Sequence, residues 1–307
     1  MGMTLREVFG RTLVEMKDDP RLVVVDADLG SATKALLFQE ACPDRFIDVG
    51  IAEQDMVGVA AGLSLGGFVP FASTFAVFMA GRALDQVRNT VAHGRLNVKL
   101  VGTHSGVSVG YDGATHESVA DLAVMRAIPG LTVLCPSDAL ETRQMVRAAY
   151  EYQGPVYLRI SRIGVEDYHD DNYHFKIGKG EVIREGEDCS IIATGIMVAE
   201  AIRAADALAA QGLSVRVVNM STIQPLDNAL VQACARETGA IVTAEEHSII
   251  GGLGSAVAEA LAESGPVPMR FVGIQDKFGT SGSPETLLKA YHLTAEDIES
   301  AVRELQK

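Results

Sequence analysis

Short apolar, β-branched runs alternate with helix-spaced segments from one end of the chain to the other. This alternation constrains the fold more than any other feature. In the first half, strand-like runs occupy residues 22–26, 46–49, 69–73, 98–103, 131–135 and 156–160. Helical spacing separates them at 53–65, 77–92, 117–127 and 139–152. A run such as LVVVD has no polar side to turn to water, as expected of a parallel strand covered on both faces. Strands joined by helices of this length predict an α/β fold of mostly parallel sheets flanked by helices. At the N-terminus, Leu5, Val8, Phe9, Leu13 and Met16 recur at helical spacing, giving an amphipathic helix rather than a cleaved leader.

The rhythm stops at GVEDYHDDNYHFK, which is polar, acidic and weakly periodic. It divides the chain into a first domain over 1–165, a linker over 166–177 and a second, smaller domain over 178–307. The linker's His169, Asp170, Asp171 and His174 fit no familiar metal-ligand spacing, so a solvated connector is expected. The second domain alternates strands at 189–194, 215–219, 240–244 and 269–273 with helices at 199–211, 227–237 and 255–263. It closes with 284–291 and a helix over 295–305, for which Thr294 is a suitable N-cap.

Composition narrows the function. The 307 residues carry a formal charge of −14, which excludes a general binder of nucleic acid or anionic membrane, since phosphate neutralisation needs clustered Lys and Arg. No uncharged apolar stretch is long enough to span a bilayer. Cys42, Cys135, Cys189 and Cys234 form no CxxC pair and predict buried thiols in a reducing, cytoplasmic compartment.

Four segments could carry chemistry. In FIDVGIAEQDMVGVAAGLSLGG, Glu53 opens a helix just after a strand end, where open α/β sheets bind ligands. Taken alone it reads first as a helix-start acid that complements the helix dipole. In ASTFAVFMAGRALDQVR, Phe75 and Phe78 lie about one helical turn apart beside that position and could be core or a ring-binding wall. In VGTHSGVSVGYDGATHES, His104, Asp112 and His116 sit in a loop with Gly102, Gly106, Gly110 and Gly113, costly to order unless it binds something. In PVYLRISR, Arg159 and Arg162 flank a strand end and suit a phosphate or carboxylate, or an ion pair with a surface acid. Gly252-Leu253-Gly254 lacks the last glycine of a dinucleotide fingerprint, and no P-loop, HExxH or GxSxG occurs.

In this order, GIAEQ, the STF segment and DGATH resemble the transketolase family over nearly the whole chain. TAEEHSIIGGLGSAV and GIQDKFGTSGSPETLLKAY are similar to that family's last domain. The resemblance implies a pyrimidine-binding domain followed by a transketolase C-terminal domain, with thiamine diphosphate as cofactor. It implies that Glu53 meets N1′ of the aminopyrimidine, with Phe75 and Phe78 as the wall against that ring. His116 then lies near the 4′-amino side and the reacting carbonyl, Asp112 meets a donor hydroxyl, and His104 and Arg162 face the substrate phosphate. Arg6 and Ser31 correspond to further substrate contacts, through an alignment shifted by one residue.

Three departures stand out. A pocket aromatic of the family is replaced by Gly81-Arg82, which predicts a more open wall. Tyr111 stands where many transketolases have an acid. The family's GDG…N motif, which holds Mg²⁺ and diphosphate, is absent. The chain therefore resembles the C-terminal subunit of a split transketolase. The resemblance implies an α₂β₂ assembly with an N-terminal subunit that carries GDG…N and the Mg²⁺ ligands. It implies ketol transfer between sugar phosphates; a 2-oxoacid dehydrogenase β subunit and a non-catalytic scaffold are the alternatives. GIAEQ also occurs in 1-deoxyxylulose-5-phosphate synthase, normally one long chain.

Overall fold

The computed structural model describes residues 3–262 and 265–306, so Glu263, the expected last residue of the 255–263 helix, lies outside the described residues. Two sheets form. The first uses β1 (Leu22–Asp26), β2 (Phe46–Asp48), β3 (Val69–Phe75), β4 (Lys99–Thr103), β5 (Thr132–Leu134) and β6 (Val156–Arg159). The second uses β7 (Glu181–Arg184), β8 (Cys189–Ala193), β9 (Val215–Asn219), β11 (Ile241–Ser248) and β12 (Met269–Ile274). Strand β10 (Thr222–Gln224) comes from the second half of the chain yet pairs antiparallel with β5, extending the first sheet to the order β10-β5-β6-β4-β3-β1-β2. The second sheet runs β12-β11-β8-β9-β7, parallel except for the edge strand β7. This is the α/β architecture that the periodicity predicts. β7 and β10 escape a reading by hydropathy because both are short and lie at a sheet edge.

Strands β1, β3, β4, β8 and β9 are buried at every position, as parallel strands covered on both faces are. Full burial of a Val or Leu side chain contributes about 1.5–3 kcal/mol, so these central strands set the register of the sheets. Pro70, which cannot donate to a ladder, sits in β3 just before its pairing with β4 begins at Phe71.

Two expected helices are shorter or broken. The 77–92 segment splits into a helix over Ala76–Ala80 and a π-helical turn over Gln86–Ala92. The break falls at Gly81, where a Cβ would lie 2.8 Å from the Val77 carbonyl. The 117–127 segment is helical only over Asp121–Arg126, because Glu117 and Ser118 are drawn inward beneath the glycine loop.

The linker is not a solvated connector. His169 is almost wholly buried, with Nδ1 2.8 Å from Asp138 and Nε2 2.8 Å from Glu181. Its ring stacks on Tyr173 at 3.7 Å and lies tilted against Tyr168 at 4.3 Å. Tyr173 donates to Glu141, which also accepts from Asn219 of β9 at 3.0 Å. The segment therefore clasps the first half, through Asp138 and Glu141, to the second, through Glu181 and Asn219. Of the other residues considered as metal ligands, Asp170, Asp171 and His174 are exposed. No group of three or more His, Cys, Asp or Glu among the described residues is arranged to hold a metal ion. Thr294 caps the last helix as expected, its backbone N–H donating to Asp297 at 3.1 Å. Three of the four free cysteines are buried; Cys42 is half-buried.

Candidate active site

Strands β4, β3, β1 and β2 are parallel neighbours, so their carboxyl ends share one edge, where an open parallel sheet forms its crevice. Asp26 closes β1. It is fully buried and accepts from the Leu29 amide at 2.7 Å and from Thr33 Oγ1 at 3.3 Å. Burial pushes its carboxyl up to about 7. These bonds shape the one-turn helix Gly30–Thr33 that carries Ser31, which is exposed at the crevice edge.

Glu53 begins the Glu53–Leu65 helix directly after the β2 loop and is 4 % exposed. Its Oε1 accepts from Arg82 Nη1 at 3.0 Å. Phe75 is the last residue of β3, and Phe78 sits in the first turn of the next helix. Their rings stack 5.7 Å apart, 11° from parallel. Gly81-Arg82 in place of an aromatic predicts an open wall; instead the Arg82 guanidinium lies over the Phe78 ring, 4.1 Å from its centroid.

His104 follows the last residue of β4 with φ +55°, a left-handed conformation that a non-glycine residue adopts at a cost of about 1 kcal/mol. Its ring stacks on Phe75 at 3.9 Å. Arg6 Nη1 lies 3.3 Å from its Nε2. Arginine can only donate, so Nε2 accepts and Nδ1–H donates to Thr103 Oγ1 at 2.9 Å. Burial, reinforced by Arg6, Arg162 and His116, lowers the imidazole to about 3. His104 is therefore neutral at working pH and offers an anion no charge.

That charge comes from the arginines. Arg6 donates to the Ala32 carbonyl at 2.8 Å, beside Ser31. Arg162 donates to the Val109 carbonyl and lies 3.3 Å from Asp112. Burial and the repulsion of Arg162 both lower the Arg6 pKa. Two half-buried cations thus lie close enough to repel each other in a strongly acidic chain. His116 meets both aromatic rings edge-on, at 6.1 Å from Phe75 and 5.5 Å from Phe78. Thr115 Oγ1 holds its Nδ1 at 2.9 Å.

So the structure brings together Glu53, Phe75, Phe78, His104 and His116, and ties Arg6, Arg162 and Asp112 to them; Ser31 stands at the rim. Arg159 does not reach the crevice. It is buried, donating to Asp121 at 2.9 Å and to the Glu246 carbonyl at 2.8 Å, and it braces the glycine loop from below. There Glu246 accepts from the Ser108 amide, and a Cβ on Gly106, at φ +75°, would fall 2.2 Å from that carboxyl. The GLG segment is spent internally too. Glu245 accepts from the amides of Leu253 and Gly254 at 2.7 and 2.8 Å, so its carboxylate already fills the helix start where a phosphate would bind. Sequence reasoning missed Asp26 and assigned no role to Arg82. The first looks like a strand residue, and the second is placed only by the break at Gly81.

Comparison with known proteins agrees with this geometry. Residues 1–166 match the family model "Transketolase, pyrimidine binding domain", and residues 178–298 match "Transketolase, C-terminal domain". The chain belongs to the transketolase family. It is 45 % identical to a 6-deoxy-6-sulfo-D-fructose transketolase subunit of Clostridium sp. (strain MSTE9), over 98 % of this chain and 94 % of that protein. It is 40 % identical to an apulose-4-phosphate transketolase subunit of Phocaeicola vulgatus, over 95 % of this chain and 94 % of that protein. A solved structure described as a split gene transketolase, inactive beta4 tetramer, superposes with TM-score 0.92 at 49 % identity, over 99 % of this chain and 98 % of that one. The chain is thus a transketolase-type transferase subunit of the split kind, and its family implies dependence on thiamine diphosphate. No helix among the described residues is long and apolar enough to cross a membrane.

Proposed function

We propose that this chain is the proton-handling half of a two-chain transketolase that moves a two-carbon ketol unit between sugar phosphates. One observation carries the reading: a buried carboxyl, Glu53, and a stacked pair of aromatic rings at the end of a parallel sheet are bridged by a single flat cation, the Arg82 guanidinium. A flat, basic heterocycle fits there, with a ring face on the Phe75–Phe78 wall and a ring nitrogen against Glu53. Thiamine diphosphate, when bound, supplies the nucleophilic carbon that accepts the two-carbon unit. The chain's residues do the rest. Glu53 holds a proton against the aminopyrimidine N1′, and the dry wall keeps water from competing for it. His116 stands edge-on to the wall, where it can pass a proton to or from the substrate carbonyl oxygen. Arg6 and Arg162 hold the substrate phosphate, neutral His104 accepts through Nε2 beside them, and Asp112 takes a sugar hydroxyl. Ser31 adds a hydroxyl at the rim.

None of the crevice residues described above offers a ligand set for Mg²⁺ or a cradle for a diphosphate. We place those on an N-terminal partner subunit with GDG…N, in an α₂β₂ assembly. A surface feature supports such a partner. Gly58 and Gly62 lie on the exposed face of the Glu53–Leu65 helix, where a Cβ would meet nothing within 4 Å. Each costs the helix about 1 kcal/mol relative to alanine, with no compensating reason inside this chain. Leu65 on the same face and Ile51 just before the helix are both 76 % exposed. Close approach of another backbone would explain all four. In this proposal 1–165 forms the pyrimidine-binding unit, 178–307 the C-terminal unit and 166–177 their joint. The reaction takes place in the cytoplasm, where the free cysteines stay reduced.

The test is reconstitution. This chain alone should not turn over xylulose 5-phosphate; mixed with its GDG…N partner, thiamine diphosphate and Mg²⁺, it should. Glu53→Ala should abolish turnover in a complex that still assembles. Full activity of the isolated chain would refute the split site, and turnover of pyruvate in place of the sugar phosphate would move the assignment to a 2-oxoacid dehydrogenase. The two named relatives act on different sugars, so the sugar itself follows from pocket shape on both chains.

A further inference from the structure

Arg82 occupies a place that the proposed function needs for something else. Its Nη1 lies 3.0 Å from Glu53 Oε1, and its guanidinium carbon lies 4.1 Å from the centre of the Phe78 ring. A heterocycle that bonds Glu53 while lying on Phe78 has to pass through that volume. A guanidinium is planar, cationic and rich in N–H donors, and it stacks on aromatic faces. A pyrimidine protonated at N1′ shares each of these properties. The Glu53 carboxylate and the Phe78 face therefore meet, within their own chain, a group of the same chemistry.

We infer that Arg82 is a built-in placeholder for the aminopyrimidine: it caps Glu53 and Phe78 until the cofactor displaces it, and so sets how readily this subunit is loaded. This rests on the proposed pairing of Glu53 with the ring nitrogen. The mobility of the parts fits the role. The Arg82 backbone is held, its carbonyl accepting from Gln54 Nε2 at 3.0 Å. Its side chain is 54 % exposed, whereas that of Glu53 is 4 % exposed. The guanidinium can swing into water without disturbing the helix that carries Glu53. A buried carboxylate left bare would be unfavourable, so the placeholder also keeps Glu53 oriented in the empty subunit. Arg82 is thus a positioning residue that acts through Glu53.

The experiment uses the full complex with the N-terminal subunit. Thiamine diphosphate is titrated in the presence of Mg²⁺, with affinity followed by calorimetry and association by stopped-flow fluorescence. Arg82→Met keeps the stem and removes the competing cation. It should tighten apparent binding by about tenfold and speed loading, because the binding-competent fraction rises. Arg82→Lys keeps the charge without the plane and should fall between. Arg82→Gln serves the same purpose if the Arg82→Met variant is unstable. Binding by Arg82→Met or Arg82→Gln that is equal to or weaker than wild type overturns the inference. Glu53→Gln should weaken binding both in the wild-type chain and when combined with Arg82→Met; if it changes neither, the assignment of Glu53 to the ring nitrogen fails instead. A crystal structure of the loaded complex gives a direct readout. The guanidinium should lie off the Phe78 ring, and one still stacked there beside bound cofactor refutes the placeholder.

Discussion

Removing the His169 clasp should reshape the pH dependence of stability in a way that can be worked out beforehand. His169 bridges Asp138 of the first half and Glu181 of the second, 2.8 Å from each. Burial opposes its charge, but bonds to Asp138 and then Glu181 outweigh that and raise the imidazole to about 9. An unfolded histidine titrates near 6.5. A folded pKa above the unfolded one means that the native state holds the proton more tightly. The stabilisation is therefore complete below pH 6.5 and is lost as pH rises through 9. At about 1.4 kcal/mol per pKa unit, the swing is on the order of 3 kcal/mol. Other groups titrate in overlapping ranges. Asp26, Glu117 and Glu246 are each raised to about 7, and burial lowers Lys99 to about 7. Of these, Lys99 has the opposite sign, gaining stability as pH rises. Only the difference between wild type and His169→Gln isolates the clasp. Urea unfolding followed by circular dichroism at pH 6.0 and pH 9.5, at one protein concentration, measures it. The wild-type advantage should shrink by about 3 kcal/mol between the two. An equal advantage at both pH values would show that the bridge is not an ion pair.

Two other perturbations separate substrate grip from assembly. Arg6→Ala and Arg162→Ala each remove a charged donor and should raise KM for a phosphorylated sugar by about tenfold or more, with kcat little changed and the loss much smaller for the unphosphorylated sugar. Steady-state kinetics with the two donors decides this; an equal loss for both would move the phosphate elsewhere. Gly62→Leu should leave the thermal midpoint of the isolated chain unchanged or slightly raised, since its Cβ meets open space. It should nonetheless weaken association with the partner, as read by native mass or sedimentation; intact assembly would clear that face of any interface.

Much of the fold could be read from the sequence because buried parallel strands and their helices leave strong local signatures. LVVVD, VGT and CSIIA admit few other readings. The weak points are places where local pattern does not carry the deciding force. β10 is three residues long and finds its partner in the other half of the chain. The linker appears solvated because it is polar, yet those polar groups satisfy one another: His169 with Asp138 and Glu181, Tyr173 with Glu141. Arg159 looks like a ligand-facing arginine and is instead consumed by Asp121 and the Glu246 carbonyl, neither of which is near it in sequence.

What the sequence decides by itself is the class of fold, the kinds of residue at the strand ends and the family to which their order belongs. These follow from short apolar runs, from the 3.6-residue period of the helices between them and from short motifs, all local properties. Only the tertiary structure decides which of those residues share a crevice and in what state. It makes His104 neutral by burying it beside two arginines, and it turns the expected gap at Gly81-Arg82 into a guanidinium laid across Phe78 and Glu53. Charge and protonation depend on solvent exclusion and on neighbours far away in the chain, and neither is written in any one segment.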